Sequence, residues 1–304
     1  VQSIIQKSQL EGALRLDAEY YQPEYLDLER KLEKFGMGLK TFEELLMSGN
    51  SLTGGATPLG AEYPESGVKF LRVQNIMPGY LDFSDVVYID KKYHEGPLKR
   101  SKLINDDVLL TITGVSYGKS AVFKLKFGEA NINQHSVRMH FVESILPEFV
   151  STFLNSKYGR FQSDRKITGD TRPALGYEEI KNYKIPVLDI ESQRKIKNYY
   201  DQVTDLDEKS NNFYSQAEGL LLEELGLKDF NCDENLSSII NFSDIKFARR
   251  MDSDFFQIKY KKLIESFSKF ESKKLNEITQ RKKGIFKIDQ EKKYRYIEIG
   301  DVNV

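Results

Sequence analysis

The sequence predicts an α+β fold: a globular domain of short strands with a helix at each end, then one long helix, then the start of a second such domain. Three observations predict it. The first is a repeat. Arg15-Leu16-Asp17-Ala18-Glu19-Tyr20-Tyr21-Gln22 returns 235 residues later as Arg250-Met251-Asp252-Ser253-Asp254-Phe255-Phe256-Gln257. The apolar positions that follow keep register, Tyr21, Tyr25, Leu28, Leu32 and Phe35 mapping onto Phe256, Tyr260, Leu263, Phe267 and Phe270. Steps of four, three, four and three place each set on one helix face. A period this long makes each unit a whole domain rather than a solenoid repeat. The second observation is a series of β-rich runs punctuated by Gly and Pro up to Val187, and the third is a heptad pattern beyond Asp189.

Pro23 suits the first turn of the opening helix. Ser51 to Pro58 (SLTGGATP) has loop composition. Val68–Ile76 reads as a strand, with Tyr88-Ile89 a short second one. Asp107–Thr113 is a continuous β-rich run closed by Gly114–Gly118, and Ala121–Phe123 and Ile132–Phe141 complete the set. A helix opening at Pro147 runs towards Phe161. The loop Thr168-Gly169-Asp170-Thr171-Arg172-Pro173 precedes a last strand, Tyr183–Val187. Asp189 is a good N-cap for a helix from Ile190 to Leu225, roughly 50 Å long at 1.5 Å per residue. Tyr199, Leu206, Phe213, Leu220 and Leu227 recur every seven residues there, while Ile196, Val203 and Ala217 mark an alternate seam that Ser210 and Glu224 interrupt. The implied organisation is an opening segment over 1–14, a first domain over 15–188, a coiled-coil spacer helix over 189–227, and a connection with an incomplete second domain over 228–304.

Composition narrows the function classes. At 304 residues, 39% hydrophobic and 30% charged, the chain has the make-up of an ordinary globular protein. Its single cysteine, Cys232, excludes a disulfide framework and fits a reducing, cytoplasmic compartment. No apolar run reaches the roughly 20 residues of a membrane helix, and no signal-peptide pattern is present. A net charge of −1 means that any nucleic-acid surface is a local patch.

In the second copy Lys69–Asn75 corresponds loosely to Arg295–Asp301, but the preceding loops, Thr53–Pro58 and Arg281–Lys287, differ completely. A kept framework with exchanged loops is how a scaffold presents variable binding surfaces. The ordered set TGGATP, FLRVQNI, DVLLTITGVSYGKSAVF, INQHSV and GDTRPALGYEEIKNYKIPVLDIESQRKI, ending in the long helix, resembles the specificity (S) subunit of type I restriction-modification systems over nearly the whole chain. That resemblance implies a target recognition domain for half of a bipartite double-stranded DNA site. It implies modification (methyltransferase) and restriction subunits as partners, with S-adenosylmethionine, ATP and Mg in those subunits and no cofactor bound by this chain. A family member has a second full recognition domain and a second spacer helix, and here the second copy ends at Val304.

The expected DNA-facing residues are Thr53, Thr57, Gln74, Asn75, Ser116, Tyr117, Lys119, Asn133, Gln134, Arg165, Lys166, Thr171 and Arg172. Cations near one loop suit phosphate contact, and Arg can read guanine. Asn133 and Gln134 fit two roles, paired hydrogen bonds to an adenine edge or satisfaction of buried backbone at a strand end. Lys91, Lys92, Lys99, Arg100 and Lys102 form a second basic cluster. Gly114–Ser120 (GVSYGKS) imitates a P-loop but is one residue short and runs into a strand, so it reads as a tight turn. His94, His135 and His140 have no Cys or His partners at metal spacing, so no metal site is expected. No Pro-Pro-aromatic methyltransferase motif is present, and Asp289-x-Glu291-Lys292 reads as a solvated charge run. The expectation is a non-catalytic DNA-recognition subunit. The alternative is the C-terminal recognition module of a fused restriction-methylation polypeptide, with catalysis upstream of Val1. Tyr199, Leu206, Phe213 and Leu220 are the expected partner seam, open to antiparallel self-association of two copies.

Overall fold

A computed structural model describes residues 3–8, 10, 15–35, 38–49, 52–57, 60, 63–169, 173–228, 230, 237 and 239–280. The chain divides into two units, 1–211 and 212–304. In the first, Pro23 opens α1 (Pro23–Glu33), which buries Leu28 and Leu32 and leaves Phe35, beyond its end, exposed. β1 (Leu39–Thr41) leads into the short α2 (Phe42–Leu45) through a capping box, in which Glu44 N–H donates to the Thr41 hydroxyl and Thr41 N–H donates to the Glu44 carboxylate. β2 (Leu52–Gly54), β3 (Val68–Leu71), β4 (Ile76–Met77), β5 (Tyr80–Leu81), β6 (Val87–Ile89) and α3 (Lys91–Glu95) follow. β7 (Val108–Thr111), β8 (Ser120–Val122), β9 (Ala130–Ile132) and β10 (Ser136–Met139) complete the main sheets. α4 (Pro147–Asn155), α5 (Lys157–Lys166), α6 (Tyr177–Lys181) and β11 (Lys184–Pro186) lead to α7 (Ile190–Glu224). The α+β class read from sequence holds.

The strands form a four-stranded antiparallel sheet ordered β2-β10-β7-β8 and a three-stranded sheet ordered β6-β3-β9, with β3 and β9 parallel. Two small pairs, β1-β11 and β4-β5, complete the pairing. The continuous apolar run of β7 has a simple cause: both faces are covered. Val108 and Leu110 join one core with Val137, Met139, Val150, Leu154 and Tyr183, while Leu109 joins another with Leu71, Ile76, Phe123 and Ile132.

Three expectations need correction. The strand read over Val68–Ile76 stops at Leu71, because a 3-10 turn (Val73–Asn75) follows before β4. The run Ile132–Phe141 divides between two sheets, β9 and β10, across Asn133–His135. The helix from Pro147 is two helices. Ser156 adopts extended backbone and accepts from Gly159 N–H as the N-cap of α5, and a Cβ on Gly159 would lie 2.4 Å from the backbone of Leu154. Apolar periodicity runs through all three breaks, which are set by turn residues.

α7 is a single helix of 35 residues. Asp189 accepts from Ser192 N–H and from its hydroxyl, as expected of a cap. The seven-residue periodicity does not report that one side of its first turns docks on the domain. Gln193 is buried and accepts from Leu146 N–H, Ile196 packs on the larger core, and Tyr200 Oη accepts from Val122 N–H at 3.0 Å. Burial pushes the Tyr200 phenol up to about 12, so it stays neutral. The alternate seam therefore splits, with Ile196 inward and Val203 exposed. Tyr199, Leu206, Phe213 and Leu220 are all exposed, at 60–71%.

In the second unit α8 (Phe242–Ala248), α9 (Ile258–Phe267) and α10 (Leu275–Ile278) are helical. The repeated opening is reproduced in detail. Arg15 grips Asp17 through Nε and Nη2 at 2.7 and 2.6 Å, and Arg250 grips Asp252 through the same atoms at 2.8 and 2.9 Å. The Tyr20–Tyr21 and Phe255–Phe256 rings each meet edge to face at 5.0 Å, with the guanidinium over the first ring in both copies. Arg281–Lys287, Asp289 to Lys292 and Arg295–Asp301 lie outside the described residues. No helix among the described residues is long and apolar enough to cross a membrane.

Glu148 fixes α7 to α4. Its buried carboxylate accepts from Lys124 at 2.5 Å and Lys197 at 2.9 Å. Burial alone would raise its pKa, but the two ammonium hydrogen bonds outweigh burial and hold the carboxyl below its ordinary value. A depressed carboxylate contributes stability above its unfolded pKa and loses it as pH falls through the folded one. Glu148→Gln is expected to lower unfolding free energy by about 2 kcal/mol at neutral pH. In urea titrations the gap to the unaltered chain should close below pH about 4. An unchanged gap at acidic pH would remove Glu148 from this role.

Candidate nucleic-acid interface

The register of the four-stranded sheet decides which loops meet. Thr111 pairs with Ser136, Leu110 with Ser120, and Val137 with Gly54. The end of β2, the β7–β8 turn and the start of β10 therefore share one end of the sheet. Parallel pairing of β3 with β9 brings the C-terminal end of β3 there too, where Asn133 N–H donates to Leu71 C=O at 3.0 Å. The loop after α5 joins through bridges from Ala174 to Thr113 and Thr168, and Gly114 N–H donates to Pro173 C=O. The rim thus gathers segments read separately in the sequence: TGGAT, the end of FLRVQN, GVSYGKS, NQH and parts of the TRPALG loop.

Glycines make this approach possible. A Cβ on Gly55 would lie 2.0 and 2.2 Å from the carbonyl oxygens of Asn133 and Ile132, and one on Gly54 would meet the Tyr177 hydroxyl. Across the rim runs a polar chain. The Thr57 hydroxyl donates to Gln134 Oε1, Gln134 Nε2 lies 3.1 Å from His135 Nε2, and His135 Nδ1 lies 2.7 Å from Thr113 Oγ1. The Gln134 amide N–H donates to Nε2, so Nδ1 carries the ring proton and donates to Thr113. Thr57 and Gln134 are exposed, so donor and acceptor groups stand at the surface in fixed order. Thr53 lies on β2 opposite Arg138.

Other rim residues are held by their neighbours. Tyr117 Oη donates to Asp164 at 2.9 Å, and Arg160 lies over the Tyr117 ring while donating to its carbonyl. Burial, then the Asp164 hydrogen bond, push the Tyr117 phenol up to about 12. The Ser116 carbonyl accepts from the Thr111 hydroxyl. Gln74 donates to Asp85, which also pairs with Arg72 at 3.1 Å. Among the described residues, Lys119 has no carboxylate within 4.0 Å; its Nζ lies 3.9 Å from the Met77 sulfur. GVSYGKS is followed by strand β8, as its sequence context implied.

Four of the expected DNA-facing residues are engaged within the fold. Asn75 is buried, accepting from Arg72 N–H and donating to Asp82 C=O to close its turn. Asn133 is buried and its Oδ1 accepts from His135 N–H. Arg165 donates to Tyr20 C=O, pairs with Glu29 at 2.9 Å and stacks on Tyr20, tying α5 to the repeated opening. Lys166 donates to the carbonyls of Glu179 and Asn182, and burial pulls its pKa down to about 8. Thr171 and Arg172 lie outside the described residues. In the second basic cluster Lys91, Lys92 and Lys102 are each paired with an acid.

Sequence reasoning missed Thr113, Tyr177 and Arg160 as rim builders. The signal available was glycine beside a bulky partner: Gly54 for Tyr177, and Gly118, at φ 77°, for Arg160. The placement of Arg165 generates a prediction. Arg165→Ala should lower unfolding free energy by about 2 kcal/mol, whereas Lys119→Ala should leave stability within about 0.5 kcal/mol. Urea unfolding separates the two, and equal effects would contradict the placement.

No protein-family profile and no curated protein matches the chain. Solved structures resemble it at low identity. One belongs to work on complex assembly and conformational transition of the type I R-M system, at 16% identity and TM-score 0.41, covering 73% of this chain and 55% of that one. A type I restriction-modification S subunit from M. genitalium gives 15% identity and TM-score 0.43, over 64% and 46%. The HsdS subunit from Thermoanaerobacter tengcongensis gives 15% identity and TM-score 0.38, over 73% and 53%. The chain spans about half the length of each of these neighbours.

Proposed function

We propose that the chain is a non-catalytic DNA-recognition subunit, in which the rim of the first domain reads one part of a DNA site. The observation that carries this reading is the convergence of five separate segments at one sheet end. They present the Thr57–Gln134–His135–Thr113 chain on the same rim as Lys119, a cation without an acid partner among the described residues. Side-chain amides and hydroxyls at fixed positions suit base edges, and a lone ammonium suits phosphate. The repeated Arg-Asp-aromatic opening supports a tandem design in which exchanged loops sit on a kept framework. In the finer form of the proposal, this is the S subunit of a type I restriction-modification system. It directs modification and restriction subunits to a bipartite site, and S-adenosylmethionine, ATP and Mg belong to those partners. The alternative places the same module at the C-terminus of a fused restriction-methylation enzyme.

The proposal extends to α7. Four exposed apolar side chains at seven-residue spacing form a stripe that water does not favour, and a second α7 running antiparallel is the occupant we propose. Two copies would then read a site with inverted symmetry. Leu206→Asp with Phe213→Asp should shift the sedimenting mass from dimer to monomer at tens of micromolar. A monomeric unaltered chain at that concentration contradicts the pairing.

DNA binding is measured with the full chain and its modification subunit. Lys119→Ala should weaken all sequences alike and reduce the salt slope by about one. Gln134→Ala should instead relax preference at one base position, by about 1–3 kcal/mol. Absence of salt-dependent DNA binding by the unaltered complex would overturn the reading.

A further inference from the structure

Away from the rim, the end of α3 and the segment before β9 bring together three side chains of metal-ligating chemistry. His94 is 4% exposed. Its Nε2 faces Glu129 Oε1 at 3.6 Å and Glu95 Oε1 at 3.8 Å, and the three potential ligand atoms lie within 4.8 Å of one another.

The tautomer follows from the buried neighbour. Asn131 is fully buried, and its Nδ2 donates to Leu98 C=O and to Ser101 Oγ, both at 2.9 Å. A carbonyl only accepts, so the orientation of the Asn131 amide is fixed, and the atom facing His94 Nδ1 at 2.5 Å is its oxygen. Nδ1 therefore carries a proton, and Nε2 is turned towards the two carboxylates. A ring nitrogen aimed at two anionic oxygens calls for a cation between them, a proton or a metal ion. An imidazole whose far nitrogen donates to an amide oxygen is also the usual setting of a metal-bound histidine.

We infer that His94, Glu95 and Glu129 form a binding site for a divalent transition metal, zinc being the best fit. Metal–ligand bonds of about 2.0–2.2 Å in a tetrahedral set place donors about 3.3–3.5 Å apart. The observed separations close with small shifts of two exposed carboxylates. Each carboxylate keeps its inner oxygen for the ion: Glu95 Oε2 pairs with Lys102 at 2.5 Å and Glu129 Oε2 with Lys91 at 3.7 Å. One imidazole with two carboxylates favours zinc over magnesium, which takes oxygen ligands and retains water. Water would complete the coordination. The bound ion would clip α3 to the parallel pair β3–β9, because Glu129 C=O also accepts from Lys69 N–H at 3.2 Å.

The test is calorimetric titration of the chelator-treated full chain with zinc chloride, and separately with magnesium chloride. One zinc equivalent should bind with a rise in Tm, and magnesium should give neither. Glu129→Gln and Glu95→Gln, both at exposed positions, should each weaken zinc by at least about tenfold, and His94→Ala should abolish binding. If His94→Ala does not fold, the two glutamine variants decide. Ring nitrogen NMR should show Nε2 shifting on zinc addition while Nδ1 keeps its proton. Two outcomes overturn the inference: no zinc binding, which leaves a proton on Nε2 as the cation, or binding unchanged in the variants, which places the ion elsewhere, as at Cys232.

Discussion

The position of β10 between β2 and β7 is the constraint on which the rest depends. Val137 faces Gly54 on one side and Leu110 on the other. A slip of one residue would turn Val137 and Met139 out of the core and carry Gln134 away from Thr57. Two features lock the register. Val108, Leu110, Val137 and Met139 share one core, and Gly55 admits the Asn133 carbonyl where any Cβ would collide. Packing energy on one face thus fixes hydrogen-bonding groups at the sheet end.

Much of this was legible in the residues. Alternation and continuous apolar runs located β6, β7, β8 and β11, Pro23 and Pro147 marked helix starts, and the heptad with Asp189 gave α7 nearly to the residue. What was not legible is tertiary. Arg165 and Lys166 have the composition of a phosphate-binding loop, and only the approach of α1 and α6 shows their heads spent on Glu29 and backbone carbonyls. Asn75 looks like any polar strand end until its turn closes around it. His94 was passed over because its neighbours are not histidines or cysteines nearby in sequence; Glu129 reaches it through sheet pairing far along the chain. The heptad, for its part, could not report that Gln193 and Tyr200 give the same helix a second, docked face.

The repeat joins sequence to architecture. Arg15 and Arg250 hold their aspartates by the same bidentate geometry and cover equivalent aromatic rings, so the motif closes on itself locally. In the first unit that closed motif is the seat for Arg165, which donates to Tyr20 C=O. A motif that closes on itself in this way can recur without dictating the loops that follow it.

The most direct test of the proposed DNA recognition is photo-crosslinking of DNA to the full chain, together with the modification subunit proposed as its partner, with the attached peptides mapped by mass spectrometry. Crosslinks are expected in the segments bearing Thr57, Ser116 to Lys119 and Gln134, and none at Arg165 or Lys166. Crosslinks confined to the face bearing Arg165, or an absence of crosslinks from the rim in a complex that binds DNA, would contradict the proposed recognition.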